Sequence, residues 1–179
     1  MHLYLVGYRG SGKTTLAKLL SDQLGLPWFD SDIEVEKKEG VTIREIFDKH
    51  GETGFRDREV AAVERLSQLP TAIIALGGGA ILRPKNRQTI QRTGCCVWLN
   101  AQPEELAKRI HGDVLTAQRR PALTGLSSFE EIVSLLARRE PLYQEVSQLK
   151  VETDREPLHD IAKRVAIWYQ QRCNEEVPT

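Results

Sequence analysis

Cysteine is scarce in this chain of 179 residues, and what there is cannot staple a fold: Cys95 and Cys96 are adjacent and Cys173 stands apart. An odd count with two neighbours is no disulfide framework. Neighbouring strand residues face opposite sides, so Cys95 and Cys96 are expected to be small buried hydrophobes rather than redox or catalytic thiols. Histidine is also rare; His2, His50, His111 and His159 are scattered and lack the spacing of metal ligands. A surplus of charge is missing too. Lys plus Arg is 25 and Asp plus Glu is 25, a net charge of zero, and a general nucleic-acid binder needs a basic excess. No apolar run approaches the ~18 residues of a membrane span. The opening MHLYLVGYRG has neither the basic region nor the cleavable apolar stretch of a signal peptide. A soluble, cytoplasmic protein without nucleic-acid or membrane partners is expected.

What is present is an ordinary globular mixture, 40% hydrophobic and 28% charged, at a length suited to one domain. Short apolar runs alternate with amphipathic patterns. Leu3 to Val6 reads as a strand that enters a glycine-rich turn at Gly7. Leu16, Ala17, Leu19, Leu20 and Leu24 mark one helix face, closed by Gly25 and Pro27. Trp28-Phe29 is a short strand leading to Asp30. Two helical patterns follow, the second opened by Thr42 with Glu45 at capping-box spacing and stopped by Gly51. A longer amphipathic stretch runs from Phe55 to Leu69. Strand-length runs recur at Ala72 to Leu76, Cys95 to Leu99 and Leu149 to Glu152, separated by helical segments that start near Pro84, Pro103 and Ser128. A last helix carries Leu158, Ile161, Ala162 and Val165 on one face. The stretch from His111 to Ser127 has no periodicity and reads as a long, mobile loop. This alternation implies an α/β sandwich around a mostly parallel sheet.

The strongest chemical signal is Gly7-Tyr8-Arg9-Gly10-Ser11-Gly12-Lys13-Thr14, a complete G-x-x-x-x-G-K-[ST] P-loop between a strand and a helix. Its glycines let successive backbone N–H groups point at phosphate oxygens, and the helix N-terminus adds partial positive charge. Lys13 supplies a full charge to the β- and γ-phosphates, and the Thr14 hydroxyl is a hard oxygen ligand for Mg²⁺. A nucleoside triphosphate site is therefore expected. The run Ala72 to Leu76 ends in Gly77-Gly78-Gly79 rather than in an acid, which disfavours switch GTPases and motor ATPases. Those glycines sit where α/β sheets admit ligands close to the backbone. Asp30-Ser31-Asp32, read as extended, turns both carboxylates into one cleft. One is then suited to Mg²⁺ through its water shell and the other to deprotonating an acceptor hydroxyl. Arg56 beside Phe55 offers a guanidinium for a planar anion, although an amphipathic helix normally exposes its arginines. Arg109, Arg119 and Arg120 lie in or near the long loop, with Arg138 and Arg139 beyond it. An arginine-bearing mobile loop suits neutralisation of transition-state charge.

Taken in order, GYRGSGKTT, Asp30-Ser31-Asp32, Gly51-Glu52-x-x-Phe55-Arg56-x-x-Glu59, Leu76-Gly77-Gly78-Gly79-Ala80, Arg120-Pro121 and Arg139-Glu140-Pro141-Leu142-Tyr143 resemble the shikimate kinase family over nearly the whole chain. The resemblance implies a P-loop kinase fold, a three-layer α/β sandwich with a mainly parallel five-stranded sheet. It implies one domain over 1–179, with a substrate-binding helical section at about 31–60 and a mobile lid at about 111–127. The implied reaction moves the ATP γ-phosphoryl group to the 3-hydroxyl of shikimate, with Mg²⁺, in the route to chorismate and the aromatic amino acids. Carried over by position, Gly10, Ser11, Gly12, Lys13, Thr14 and Thr15 hold the phosphates. Thr14 ligates Mg²⁺ and Asp30 supports it through water. Asp32 binds the shikimate hydroxyls and serves as base; Arg56 and Arg139 clamp the carboxylate, with Gly77, Gly78 and Gly79 completing the pocket. Lys13 and Arg120 act on the transferred phosphate, and Arg109 with Arg155 and Pro157 lies near the adenine. The lid departs from the family's usual R-P-L-L, reading Arg120-Pro121-Ala122-Leu123 after an extra Arg119. A monomer is expected. Two other readings remain: a gluconate kinase-like enzyme, which need not carry the carboxylate-binding arginines with the GGGA turn, and a non-catalytic nucleotide-binding regulator, which should have lost Lys13, Asp32 or Arg120.

Overall fold

A computed structural model describes residues 1–112 and 128–175. The lid expected at 111–127 falls almost wholly outside the described residues, as do Arg119, Arg120, Pro121, Ala122 and Leu123. Five strands, β1 (His2–Gly7), β2 (Trp28–Asp30), β3 (Ile73–Ala75), β4 (Gly94–Asn100) and β5 (Leu149–Glu152), form one sheet in the order β2-β3-β1-β4-β5. Every pairing is parallel, so the expectation of a mostly parallel sheet is met in full.

Parallel strands buried on both faces need apolar residues at every position, and β1 has none of its six residues exposed. The period of two then sorts them between layers. Leu3, Leu5, Ile73, Ala75, Cys95 and Val97 pack against α1 (Lys13–Leu24) and the final helix, α7 (Leu158–Glu175). Tyr4, Val6, Ile74, Cys96 and Trp98 pack on the opposite face. There they meet α3 (Ile43–Leu66) through Val63 and Leu66, and α6 (Ser128–Val146) through Tyr143 and Val146. Cys95 and Cys96 are thus buried on opposite faces and unbridged, as their adjacency implied. The other helices among the described residues are α2 (Ser31–Glu39), α4 (Pro84–Thr93) and α5 (Pro103–Gly112).

Local signals set most boundaries. Thr42 and Glu45 form the reciprocal capping box at the start of α3. Pro84 occupies the first turn of α4, where its missing N–H costs nothing. Gly51 breaks α3 as its sequence position suggested, but the helix resumes at once: only Gly51 is non-helical, at φ 64° and ψ −174°, producing a kink. The amphipathic stretch ends at Leu66 rather than Leu69, in a turn closed by Gln68 N–H on the Arg65 carbonyl and Leu69 N–H on that of Leu66.

The reading of Asp30-Ser31-Asp32 as extended is corrected by the structure. Strand β2 ends at Asp30 and α2 begins at Ser31. The motif straddles a strand end and a helix start, because the Asp30 side chain caps α2 and ends the strand at that residue.

Candidate functional site

In a parallel sheet the loops leaving the strand C-termini gather along one edge, and a crevice opens where the strand order reverses. Here β1, flanked by β3 and β4, sends its chain into the P-loop, and β3 beside it sends its chain into Gly77-Gly78-Gly79. The two turns touch: a Cβ on Gly78 would lie 3.3 Å from both the Arg9 nitrogen and the Gly7 oxygen. A cleft of about 460 Å³ lies over this edge. It is lined by the predicted Gly10, Gly12, Lys13, Thr14, Thr15, Asp30, Asp32, Gly78 and Arg109.

The P-loop geometry follows from its glycines. Gly12 is the N-cap of α1 at φ 92°, a left-handed conformation that costs glycine little. Lys13 folds back across the loop, its Nζ donating to the Gly7 carbonyl at 2.9 Å and the Tyr8 carbonyl at 2.8 Å. Ser11 is fully buried beneath the loop. Thr14 Oγ1 donates to Asp30 Oδ2 at 2.8 Å, while Asp30 Oδ1 accepts from the N–H groups of Asp32 and Ile33 at 3.0 and 3.5 Å. One carboxylate therefore caps α2 and also stands beside the P-loop hydroxyl. The pair presents two hard oxygens in the cleft, a donor set that fits Mg²⁺ bound by few protein ligands and several waters. Among the described residues no group of three or more His, Cys, Asp or Glu is placed to hold a metal.

The triglycine turn has a steric reason for lacking side chains. A Cβ on Gly77 would fall 2.5 Å from Asp32 Oδ1 and 2.7 Å from Glu59 Oε1. One on Gly79 would collide with the Arg56 guanidinium, 2.5 Å from Nη1. The glycines admit Asp32, Glu59 and Arg56 to the same small volume.

Arg56 is buried, contrary to the usual exposure of arginine on an amphipathic helix. Its Nη1 donates to Glu59 Oε2 at 2.8 Å, and Nε and Nη2 donate to Glu52 Oε1 at 3.2 and 3.1 Å. Burial opposes its charge, but Glu59 and Glu52 outweigh that and raise its pKa. Arg139 is also buried, donating from Nη1 to the Gly78 carbonyl at 3.2 Å and lying over the Tyr8 ring at 5.6 Å. Burial pushes the Glu59 carboxyl up, while Arg56 and then Arg139 pull it back. Both guanidinia thus act on one carboxyl, although 139 − 56 = 83 positions separate them in sequence. Neither lines the open cleft; Arg139 stands behind its wall at Gly78, and Arg56 beside Gly79.

Arg109 Nη2 donates to the Thr153 carbonyl at 2.8 Å and Nη1 to Thr153 Oγ1 at 3.0 Å, with Nη1 also 3.4 Å from the Gly10 carbonyl. This ties the P-loop to the turn after β5. Arg155, predicted beside it, is exposed and does not line the cleft. Leu158 fills that role, its side chain 3.2 Å from where a Gly12 Cβ would stand. Further contributors escaped the sequence reading, among them the apolar lining residues Ile33, Ile43 and Ile110. Arg9 lines the cleft from the P-loop. Glu36 lines it while accepting from Ile43 N–H at 3.1 Å, joining α2 to α3. Ser31 Oγ accepts from Gly77 N–H at 2.9 Å, and Tyr143 donates to the Gly78 carbonyl at 2.6 Å. Arg9, Ser31 and Tyr143 stand inside motifs that the sequence singles out, though without a role assigned there, and Glu36 has no such signal.

A family profile for shikimate kinase matches residues 9–170. Over 164 residues the chain is 49% identical to the shikimate kinase of Rhodopirellula baltica, covering 92% of this chain and 88% of the relative. It is 41% identical over 172 residues to that of Symbiobacterium thermophilum, covering 96% and 98%. Among solved structures, the shikimate kinase of Acinetobacter baumannii in complex with shikimate matches with a TM-score of 0.87 at 34% identity, covering 99% of this chain and 95% of that one.

Proposed function

The chain belongs to the shikimate kinase family, and from that premise we propose how its own residues divide the work. The enzyme transfers the γ-phosphoryl group of ATP to the 3-hydroxyl of shikimate, giving shikimate 3-phosphate and ADP on the route to chorismate and the aromatic amino acids. The observation that carries the division of roles is a single cleft lined by Lys13 and Thr14 together with Asp32 and Gly78.

Gly10, Ser11, Gly12, Lys13, Thr14 and Thr15 cradle the ATP phosphates, and Lys13 exchanges its loop carbonyls for phosphate oxygens as charge builds on the γ-phosphoryl group. Thr14 and, through water, Asp30 would hold Mg²⁺, which would supply charge neutralisation at the phosphates. Arg56 and Arg139 grip the shikimate carboxylate, because a guanidinium can offer a carboxylate two parallel charge-assisted hydrogen bonds. Gly77, Gly78 and Gly79 let the acceptor approach the backbone. Asp32 orients the 3-hydroxyl and takes its proton as the oxygen bonds to the γ-phosphorus and the bond to ADP breaks. Arg120 neutralises the transferring group from the lid, within the helical-section and lid boundaries given above. Arg109 borders the nucleotide; Arg155 is its weaker partner, since Leu158 rather than Arg155 borders the cleft.

We read the enzyme as a cytoplasmic monomer acting on small molecules, without nucleic-acid or membrane partners. The balance of 25 basic and 25 acidic residues supports the absence of a nucleic-acid role, and no helix among the described residues is long and apolar enough to cross a membrane. Coupled ADP release with shikimate, with gluconate and without acceptor tests the assignment. Shikimate alone should drive turnover. Equal rates with gluconate would place the chain in another acceptor class, and no acceptor-dependent rate would make it a regulator.

A further inference from the structure

Three consecutive glycines leave the turn after β3 without side chains to hold it, and glycine lets a peptide rotate at little steric cost. Hydrogen bonds hold it instead. Gly77 N–H donates to Ser31 Oγ at 2.9 Å. The Gly77 carbonyl accepts from Ala80 N–H at 2.9 Å and the Gly79 carbonyl from Leu82 N–H at 3.0 Å. The Gly78 carbonyl is held by side chains instead. Tyr143 Oη donates to it at 2.6 Å and Arg139 Nη1 at 3.2 Å. These two residues lie four apart on α6, so one helix face presents both donors.

The tyrosine is the closer donor and the more rigid. Its side chain is fully buried, and its ring stacks on Trp98 with centroids 5.7 Å apart and planes 22° apart. A buried phenol keeps its proton, so the hydroxyl remains a donor. Because a trans peptide is planar, drawing the Gly78 carbonyl inward also fixes where the Gly79 N–H points. With Tyr143 providing the short bond, Arg139 commits only Nη1 to this carbonyl among the described residues.

We infer that Tyr143 is a positioning residue for the acceptor: its hydroxyl locks the Gly78–Gly79 peptide and, through the shared carbonyl, seats the Arg139 guanidinium at the Gly78 wall of the shikimate pocket. The inference rests on the reading that Arg139 and the glycine turn form that pocket. Tyr143 does not line the cleft, so its loss is felt through the glycine turn, in acceptor affinity and not in nucleotide affinity.

Tyr143→Phe keeps the ring and its stacking and removes only the hydroxyl. The expected result is a KM for shikimate raised roughly tenfold, equivalent to about 1.4 kcal/mol, with the KM for ATP within about twofold of wild type. Two companions separate the explanations. Trp98→Phe disturbs the stacking but keeps the hydroxyl; it should lower the Tm without a selective rise in shikimate KM. Arg139→Lys should itself raise the shikimate KM, and the double variant should cost less than the product of the single effects, as expected for residues sharing one acceptor. A Tyr143→Phe enzyme with a lower Tm but unchanged KM values, a parallel rise in both KM values, or a Trp98→Phe enzyme with the same selective rise would each overturn the inference. If Arg139→Lys leaves the shikimate KM unchanged, the acceptor-pocket reading fails first. If Arg139→Lys responds and Tyr143→Phe does not, the role of Tyr143 fails alone.

Discussion

Adding one methyl group at Gly79 tests whether the turn is glycine because Arg56 occupies the space. Gly79 has φ −108°, which any residue adopts, so Gly79→Ala introduces no backbone strain of its own. The new Cβ would stand 2.5 Å from Arg56 Nη1 and 2.6 Å from Cζ. Ordinary contact begins near 3.4 Å, so turn and guanidinium must separate by at least 3.4 − 2.5 = 0.9 Å. Arg56 cannot yield freely, because Nη1 is bonded to buried Glu59 at 2.8 Å. Retreat by that amount stretches a contact of this length beyond hydrogen-bond range. Losing one charge-assisted hydrogen bond costs about 1.5–3 kcal/mol. Steady-state kinetics should therefore show kcat/KM for shikimate falling about 10- to 100-fold, with the KM for ATP barely moved. Urea unfolding should register a loss on the order of 2 kcal/mol. Wild-type kcat/KM together with wild-type stability would refute the steric reasoning.

Asp32→Asn should lower kcat by at least ~10²-fold while nucleotide binding, followed by fluorescence titration, persists; equal losses in both would mark Asp32 as structural. Arg120→Ala should depress kcat strongly and Arg119→Ala only mildly, and the reverse order would shift the lid register by one residue. Thr42→Ala removes the side-chain cap of α3 and should destabilise the protein by about 1 kcal/mol in chemical denaturation, with kcat unchanged. A lost kcat there would mean that the α3 N-terminus, where Ile43 lines the cleft, is set by the cap.

The P-loop was legible in the sequence because its chemistry needs contiguous residues in fixed order, and the capping box at Thr42 and Glu45 for the same reason. The sheet was legible as strand-length apolar runs between amphipathic helices, and period-two alternation placed Cys95 and Cys96 on opposite faces. Asp30 and Asp32 were found as a pair but for an incomplete reason: extended alternation was carried past the point where Asp30 caps α2. Burial of Arg56 was not legible, since its helix pattern alone puts arginine in solvent; the cavity that receives it exists only once Gly79 arrives from β3. Tyr143 stands in the Arg139–Tyr143 motif, but its acceptor lies 65 residues away, so the motif marked the residue without showing its contact. Leu158 beside Gly12 is hidden in the same way, because the α7 start meets the P-loop only in the folded chain.

The most direct measurement compares shikimate with its carboxamide, a neutral analogue of the same shape, in wild type and in the Arg56→Lys and Arg139→Lys enzymes. Wild type should handle the carboxamide with kcat/KM lower by roughly tenfold or more, and each Lys variant should lose a similar factor on shikimate but little further on the carboxamide. Wild-type enzyme that phosphorylates the carboxamide as well as shikimate would contradict the assignment of both arginines to the acceptor carboxylate.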